Sequence, residues 1–253
     1  MNVKILATCH NAELMGGSTL VFDSLRIGFP DACVTVFLNG LKPEFVGPIT
    51  EAAKRASVDE IVTLEEETIH HKWIESLVWN ETEPFFLCDT DVVFWSEFPL
   101  THFNRPLAGC YIPAFVDKFT NAKTMPRLHT SLLYVNPKAV QREIRAVHAW
   151  GRATRFNPMI NLFYPVQIPS KNQSVFYDTC ALLYQAIGGQ EFTAHHLDCY
   201  DHLNAGTWVD ELDKAYPELK LPQFHKSVYK NPELARGIRH MQNAFYAANH
   251  PAS

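Results

Sequence analysis

The chain has 253 residues, of which 47% are hydrophobic and 19% are charged, and its formal net charge at pH 7 is -5. This composition supplies a large buried core, which excludes a disordered protein, and the acidic balance argues against a broadly basic nucleic-acid-binding surface. No apolar run reaches the roughly 18 residues that a membrane-spanning helix needs.

The six cysteines bear on the cellular compartment. None belongs to a Cys-x-x-Cys pair or to a zinc-like spacing, and most lie in apolar runs, where cysteine behaves as a small buried hydrophobe. The N-terminal stretch MNVKILATCHN becomes polar too soon to be the apolar part of a secretory signal. We therefore expect reduced thiols in a cytoplasmic protein.

The first hundred residues alternate between predicted strands and predicted helices. Short apolar runs rich in β-branched residues indicate strands, and apolar residues at helical spacing indicate helices. The strands are predicted at 3–8, 32–38, 59–64 and 84–88, and the helices at 18–29, 47–56 and 68–80. This order predicts an α/β fold with a mostly parallel central sheet and helices on both faces.

The second half of the chain is less regular. Strands are predicted at 107–112, 131–135 and 191–197, and helices at 137–150, 174–189 and 231–250. No internal repeat, low-complexity tract or linker interrupts the chain, so we expect one domain over residues 1–253.

Polar side chains stand at the ends of three predicted strands. Asp89 and Asp91 follow the fourth strand, within the segment FFLCDTDVVFW. The others are Thr8, His10 and Asn11 at the end of the first strand and Asn39 at the end of the second. Because the carboxyl ends of parallel strands meet at one edge of a sheet, we expect these side chains to line a single crevice.

The spacing of Asp89 and Asp91 points to a metal ion. Two carboxylates this close repel each other unless a cation lies between them. A hard divalent ion, Mg²⁺ or Mn²⁺, suits two carboxylates together with substrate phosphates. The alternative is a solvated turn with two surface aspartates, but the buried strand that precedes the pair favours the metal site.

The segment FFLCDTDVVFW resembles the Asp-x-Asp segment of GT-A glycosyltransferases, where it follows the fourth strand of a nucleotide-binding half. HTSLLYVNP resembles an acceptor-side strand of that family, YDTCALLYQA resembles a helix start, and DHLNAGTW resembles the late segment with a metal-binding histidine. The pattern covers most of residues 3–208. It departs at His129, Thr130 and Ser131, where related enzymes often have Asn-x-Gly.

The resemblance implies a GT-A (Rossmann-like) fold, with a nucleotide-binding half at 1–100 and an acceptor-side half with a C-terminal helix at 101–253. It implies a metal-dependent, hexosyltransferase-like enzyme with Mn²⁺ (or Mg²⁺) as its cofactor. The donor would be a nucleotide-diphosphate sugar, first of all a UDP-sugar. The acceptor hydroxyl could belong to a glycan, a protein, a small molecule or a modified nucleic acid.

The same resemblance assigns roles to individual residues. Asp91 would bind the metal directly and serve catalysis, whereas Asp89 would reach the ribose or, through water, the metal. Asp178 would contact the transferred sugar or the acceptor hydroxyl, or act as the base; the alternative is a carboxylate that stabilises a helix N-terminus. The expected donor-binding residues are Thr8, His10, Asn11, Asn39, Asp89, Thr90 and Lys226.

The third metal ligand has two candidates, His202 and His225. His202 lies just after an apolar strand and in the segment with the family resemblance, so we favour it as the ligand. His225 precedes Lys226, and together they would clamp the diphosphate as a mobile segment closes over the donor. The pair His70 and His71 lies on a predicted helix without a cysteine or glutamate at ligand spacing, so we assign it no zinc site.

Two other functions remain open. FLCDTDVVF also resembles motif I of HAD phosphatases, in which Asp89 would be the phosphorylated nucleophile and Asp198 with Asp201 the late acid pair. That motif normally follows the first strand, whereas three β–α units precede it here. The second alternative is a non-catalytic nucleotide-sugar-binding module. Phosphorylation of Asp89 would identify the phosphatase, and hydrolysis of nucleotide sugars would separate the enzyme from the binding module.

Overall fold

A central β-sheet organises the computed structural model, which describes residues 1–9, 18–100, 103–116, 122–151, 161–169 and 173–202. The elements of the first half are β1 (Asn2–Ala7), a 3-10 helix (Leu20–Asp23), α1 (Leu25–Gly28), β2 (Cys33–Asn39), α2 (Pro43–Arg55), β3 (Glu60–Leu64), α3 (His70–Asn80), β4 (Phe85–Cys88) and β5 (Val92–Phe94). The four strands predicted from the apolar runs of this half are therefore present in the predicted order.

The elements of the second half are shorter. They are β6 (Leu107–Ile112), β7 (Phe115–Val116), β8 (Lys123–Thr124), β9 (Arg127–Val135), α4 (Pro137–Gly151), β10 (Val166–Ile168), β11 (Val175–Tyr177), α5 (Ala181–Ile187), β12 (Gln190–Glu191), α6 (Ala194–Asp198) and β13 (Tyr200–His202).

Seven strands form the central sheet, in the order β12-β6-β9-β4-β1-β2-β3. β4, β1, β2 and β3 pair in parallel with one another, and β12 pairs in parallel with β6. β9 runs antiparallel to both of its neighbours, β4 and β6. The mostly parallel sheet expected from the sequence is confirmed, and the parallel part places the carboxyl ends of β1, β2 and β4 at one edge.

Helices cover both faces of this sheet, as the sequence predicts. α2 packs on one face through Phe45 and Ile49, in a cluster that also contains Phe86 of β4. α3 and α4 pack on the other face with Phe85 of β4 and Leu183 of α5. Phe85 and Phe86 are both fully buried. Burial of each contributes about 1.5–3 kcal/mol, so β4 anchors both cores at once.

Two short helices replace the single helix predicted at 18–29. Ser24 separates the 3-10 helix from α1, and its hydroxyl donates to the Val21 carbonyl (3.4 Å) and accepts the Phe94 N–H (3.0 Å). A serine that bonds to local and distant backbone groups competes with the helical pattern. The side chain of Ser24 thereby ties this segment to β5.

Two predictions in the second half are wrong. Residues 175–177 of the predicted helix 174–189 form β11, which pairs with β8 and β10, and a left-handed Cys180 (φ 61°) precedes the shorter α5. The strand predicted at 191–197 is limited to β12, because Thr193 and His196 form a reciprocal capping box that starts α6. The helix predicted at 231–250 lies outside the described residues.

A two-stranded ribbon, β5 with β13, stands beside the central sheet. It pairs in antiparallel register, with His202 opposite Val92 and Tyr200 opposite Phe94. Among the residues that the structure describes, no helix combines the length and the apolar character that crossing a membrane requires.

Candidate metal centre

The turn that carries the two aspartates begins where β4 ends. The Asp89 N–H donates to the Ser131 carbonyl of β9 (2.7 Å), so the sheet still holds the chain at this residue. The Thr90 carbonyl accepts the Val21 N–H (2.7 Å). These two backbone bonds tie the turn to β9 and to the 3-10 helix, and Asp91 is 5% exposed within it.

The β5–β13 ribbon brings His202 to this turn. Val92, the partner of His202 in the ribbon, directly follows Asp91 in the chain. Trp95 extends the pairing: its N–H donates to the Cys199 carbonyl (2.8 Å), and its indole N–H donates to Asp201 Oδ2 (2.7 Å). A histidine distant in sequence therefore has a defined register against the aspartates.

Asp89, Asp91 and His202 form a compact group of potential metal ligands. One ligand atom from each residue lies within 4.8 Å of the others. His202 Nε2 is 3.2 Å from Asp91 Oδ1 and 3.9 Å from Asp89 Oδ2. Two carboxylates and an imidazole are acceptable donors for Mn²⁺ and, with less preference for the imidazole, for Mg²⁺. The donor set therefore fits the divalent cation that the sequence indicates.

The protonation of these groups reflects burial and mutual charge. Burial raises the pKa of Asp89 and the Asp91 carboxylate adds to this effect, while His70 and His202 oppose it. Burial lowers the pKa of His202, but the carboxylates of Asp91 and Asp89 outweigh burial, so its net pKa is raised. Without a cation, the carboxylates thus favour a protonated His202. Metal binding at Nε2 would release that proton.

His129 lies against His202, with ring centroids 4.8 Å apart. Its Nδ1 accepts the Ser131 N–H (3.1 Å) and lies 2.8 Å from the Ser131 hydroxyl. Because a backbone N–H only donates, the proton of the neutral ring is at Nε2. Burial and the nearby His202 and Arg127 lower the pKa of His129 well below its ordinary value. The departure from Asn-x-Gly therefore places a neutral imidazole in the wall of the site.

Asp178 forms an ion pair that the sequence analysis missed. Arg127 Nη2 is 2.8 Å from Asp178 Oδ2, and the Thr179 N–H donates to Oδ1 (2.7 Å). Asp178 precedes α5 by three positions and is not its N-cap, which is Cys180. The other terminal guanidinium nitrogen, Arg127 Nη1, is buried and has no hydrogen-bond partner within the described part of the chain. The carboxylate of Asp178 is thus held at both oxygens, and Arg127 is the residue that holds it.

His70 is a second residue that the sequence analysis missed. It is the first residue of α3, and its Nε2 lies 3.8 Å from Asp89 Oδ1. The helix after β3 begins at the carboxyl edge of the sheet, and this position is the signal that could have indicated His70. His71, its neighbour, instead packs on Tyr164, with ring centroids 4.2 Å apart.

The remaining predicted site residues are distributed differently. Asn39 is buried, and its amide binds Thr68 at both ends: Nδ2 donates to the carbonyl (3.0 Å), and Oδ1 accepts the N–H (2.7 Å). Thr90 is buried beside the aspartates, and Thr8 is half-buried after β1. Their roles toward a nucleotide stay predictions. The predicted His10, Asn11, His225 and Lys226 lie outside the described residues.

Asp201, part of the acid pair in the phosphatase alternative, is a buried residue of β13 and accepts the indole N–H of Trp95. Asp198 is the last residue of α6. The bond to Trp95 gives Asp201 a structural role in the ribbon.

No protein-family model matches this chain, and no curated protein does. Solved structures with a similar arrangement include the mannosyltransferase PcManGT from Pyrobaculum calidifontis in complex with GDP-Man and Mn²⁺ (14% identity, 100% of this chain, 76% of that chain, TM-score 0.47). They also include the glycosyltransferase GlyE of Streptococcus pneumoniae (11%, 100% and 65%, TM-score 0.43) and the galactosyltransferase LgtC with donor and acceptor sugar analogues (11%, 77% and 74%, TM-score 0.42). Each of these three proteins is a glycosyltransferase.

Proposed function

We propose that this protein is a metal-dependent glycosyltransferase that moves a sugar from a nucleotide-diphosphate donor to an acceptor hydroxyl. The observation that carries the proposal is the convergence of Asp89, Asp91 and His202 at the carboxyl edge of the sheet. Ligands of open α/β sheets bind at this edge. The sequence resemblance of the Asp-x-Asp segment supports the same function.

The three residues would hold Mn²⁺ or Mg²⁺. When bound, such an ion offsets the negative charge that develops on a departing nucleoside diphosphate. Asp91 is the buried carboxylate of the pair, and His202 Nε2 lies closest to it. Asp91 would therefore be the carboxylate that meets the ion together with His202, which contributes a neutral nitrogen once its proton has left.

Asp178 would orient the transferred sugar or the acceptor hydroxyl. Its carboxylate is fixed by Arg127 and by the Thr179 N–H, so its remaining lone pairs have defined directions. A fixed carboxylate is well suited to accept hydrogen bonds from sugar hydroxyls, which is a positioning contribution to the reaction.

A UDP-sugar is the first donor to test, and the acceptor is proposed only as a hydroxyl-bearing molecule. His225 with Lys226 is proposed as the diphosphate clamp, and His10 with Asn11 as part of the nucleoside site. We also propose a single domain over residues 1–253 and a cytoplasmic location.

Thermal shift with a panel of nucleotide sugars and Mn²⁺ tests this function. A specific donor stabilises the folded protein by about 2.7 kcal/mol at a concentration of 100 times its dissociation constant. We expect one donor to raise the melting temperature in a Mn²⁺-dependent way and to be hydrolysed slowly in the absence of an acceptor. Binding without any turnover would indicate the nucleotide-sugar-binding module, and trapping of Asp89 by beryllofluoride would indicate the phosphatase.

A further inference from the structure

His70 and His202 face different oxygens of the Asp89 carboxylate. His70 Nε2 is 3.8 Å from Oδ1, whereas His202 Nε2 is 3.9 Å from Oδ2. His202 also approaches Asp91, but His70 does not belong to the group whose ligand atoms lie within 4.8 Å of one another. The two histidines therefore occupy different positions relative to the proposed ion.

Aromatic packing holds the ring of His70 in position. It stacks on Trp73, one turn later in α3, with ring centroids 6.2 Å apart and an interplanar angle of 21°. Trp73 is buried and packs edge-on against Phe37 of β2, with ring centroids 5.6 Å apart. The core of the sheet thus fixes the position from which the imidazole faces Asp89.

Nε2 of His70 is buried and has no hydrogen-bond partner among the residues that the structure describes. The nearest charged oxygen, Asp89 Oδ1, is beyond hydrogen-bond distance at 3.8 Å. Buried polar nitrogens in folded proteins nearly always have a partner. Because the ring of His70 is held by Trp73, a rotation of the Asp89 side chain that shortens this distance by roughly 1 Å would form the hydrogen bond.

We propose that His70 is a positioning residue for Asp89: its Nε2–H donates to Oδ1 and directs Oδ2, the oxygen on the His202 side, toward the metal ion. The proposal rests on the proposed metal site and extends it by one residue. Ligating carboxylates are commonly held in this way by a hydrogen bond to their second oxygen, and loss of such a partner lowers metal affinity about 10- to 100-fold.

Mn²⁺ binding to the purified protein, measured by electron paramagnetic resonance without nucleotide, tests the role of His70. His70→Phe keeps an aromatic ring on Trp73 and removes the donor, so we expect Mn²⁺ affinity to fall about tenfold or more. His70→Gln places an amide N–H near the position of Nε2 and should stay within about threefold of the wild type. His71→Phe, the control on the same helix, should bind Mn²⁺ like the wild type.

Pulsed resonance separates positioning from ligation. We expect coupling to one imidazole nitrogen in the wild type, retained in His70→Phe and lost in His202→Ala. Unchanged Mn²⁺ affinity in His70→Phe, or loss of a nitrogen coupling in that variant, would overturn the proposal. If His70→Phe fails to fold, the comparison of His70→Gln with His70→Asn, whose shorter amide does not reach Asp89, supplies the same contrast.

The outcomes for His70 and for the proposed function are distinguishable. A protein that binds Mn²⁺ in a His70-dependent way but uses no nucleotide sugar would contradict the glycosyltransferase and leave the positioning role intact. Sugar transfer by His70→Phe with unchanged Mn²⁺ affinity would contradict the positioning role and leave the glycosyltransferase function intact.

Discussion

Residues 1–100 and residues 161–202 both contribute to the candidate site, but the two regions hold their side chains differently. Asp89 and Asp91 follow β4, which pairs with β1 and β9 and is buried on both faces. His202 stands on a strand of three residues that pairs with β5, and Asp178 stands in the short connection between β11 and α5. The carboxylates of the first region therefore share the stability of the whole sheet, whereas His202 and Asp178 depend on a few specific contacts.

The largest effect is expected for substitution of Asp91, whose carboxylate follows β4 of the central sheet. Asp91→Asn keeps the shape of the side chain but removes the charge that holds the ion. Metal ions supply several kcal/mol of charge stabilisation, so we expect sugar transfer at limiting Mn²⁺ to fall roughly 100-fold or more. Because the strand pairing of the sheet is unaffected, the metal-free protein should still fold, and the loss of the Asp91 contact with His202 is the only change that its melting temperature should reflect. Near wild-type turnover at limiting Mn²⁺ would remove the metal role from Asp91.

Substitution of Asp178 is expected to affect turnover more than the binding of nucleoside diphosphate. Asp178→Asn breaks the ion pair with Arg127, whose Nη2 is 2.8 Å away. Loss of orientation should lower turnover on the order of tenfold to a hundredfold, with the affinity for nucleoside diphosphate changed much less. Steady-state kinetics and equilibrium binding of the nucleotide measure the two quantities separately. Normal turnover with only a lower melting temperature would make the Arg127–Asp178 pair purely structural.

A weaker β5–β13 ribbon should lower the metal affinity of the site without unfolding the domain. Trp95→Phe removes the indole N–H that Asp201 accepts at 2.7 Å. A hydrogen bond to a charged group contributes about 1.5–3 kcal/mol. Its loss would allow His202 to move relative to the two aspartates. We expect Mn²⁺ affinity to fall roughly threefold to tenfold by titration. The control is Trp79→Phe, at an indole that is 41% exposed on α3. An equal loss in both variants would argue against the ribbon as the support of His202.

The smallest effect is expected in the pH dependence of stability near α6. Burial lowers the pKa of His196, and the charge of His195 adds to this effect. The unfolded chain therefore binds a proton more readily than the folded protein as the pH falls below about 6.5, and the free energy of unfolding decreases there. Above that pH the contribution of His196 to stability is fully present.

His196→Gln removes the titration and retains a side chain that completes the capping box with Thr193. Urea unfolding at pH 8 and at pH 5 should therefore show a smaller loss of stability for this variant than for the wild type. An identical loss in both proteins would assign the pH dependence to other groups.

The success of the sequence predictions follows the same division between the two regions. The strands of residues 1–88 and the helices α2 and α3 could be predicted because each has its own apolar periodicity and its own turn signals, whereas the hydrogen bonds of Ser24 divided the helix predicted at 18–29. Val175, Phe176 and Tyr177 were assigned to a helix as part of the predicted segment 174–189, which Gly188 and Gly189 end. These residues form a strand because they pair with β8 and β10. Such pairing with distant segments cannot be predicted from a short stretch of sequence.

The candidate site shows the same limit for single residues. The Asp-x-Asp segment was recognisable because two carboxylates directly follow a strongly β-prone run. His202 was favoured over His225 by position and resemblance, and the structure places His202 beside the aspartates. His70 was assigned no metal-site role, because its proximity to Asp89 arises only when α3 packs on the sheet.

By itself the sequence determined the α/β class, the order of the first strands and helices, and the strand end at which the aspartates stand, because each of these follows from neighbouring residues. Only the tertiary structure decided which distant side chains meet there. Trp95 and Asp201 are 106 positions apart, and the ribbon they join brings His202 to Asp91. Arg127 meets Asp178, and His70 faces Asp89, through packing of separate elements. These contacts depend on the strand order of the sheet and the packing of its helices, which no local pattern encodes.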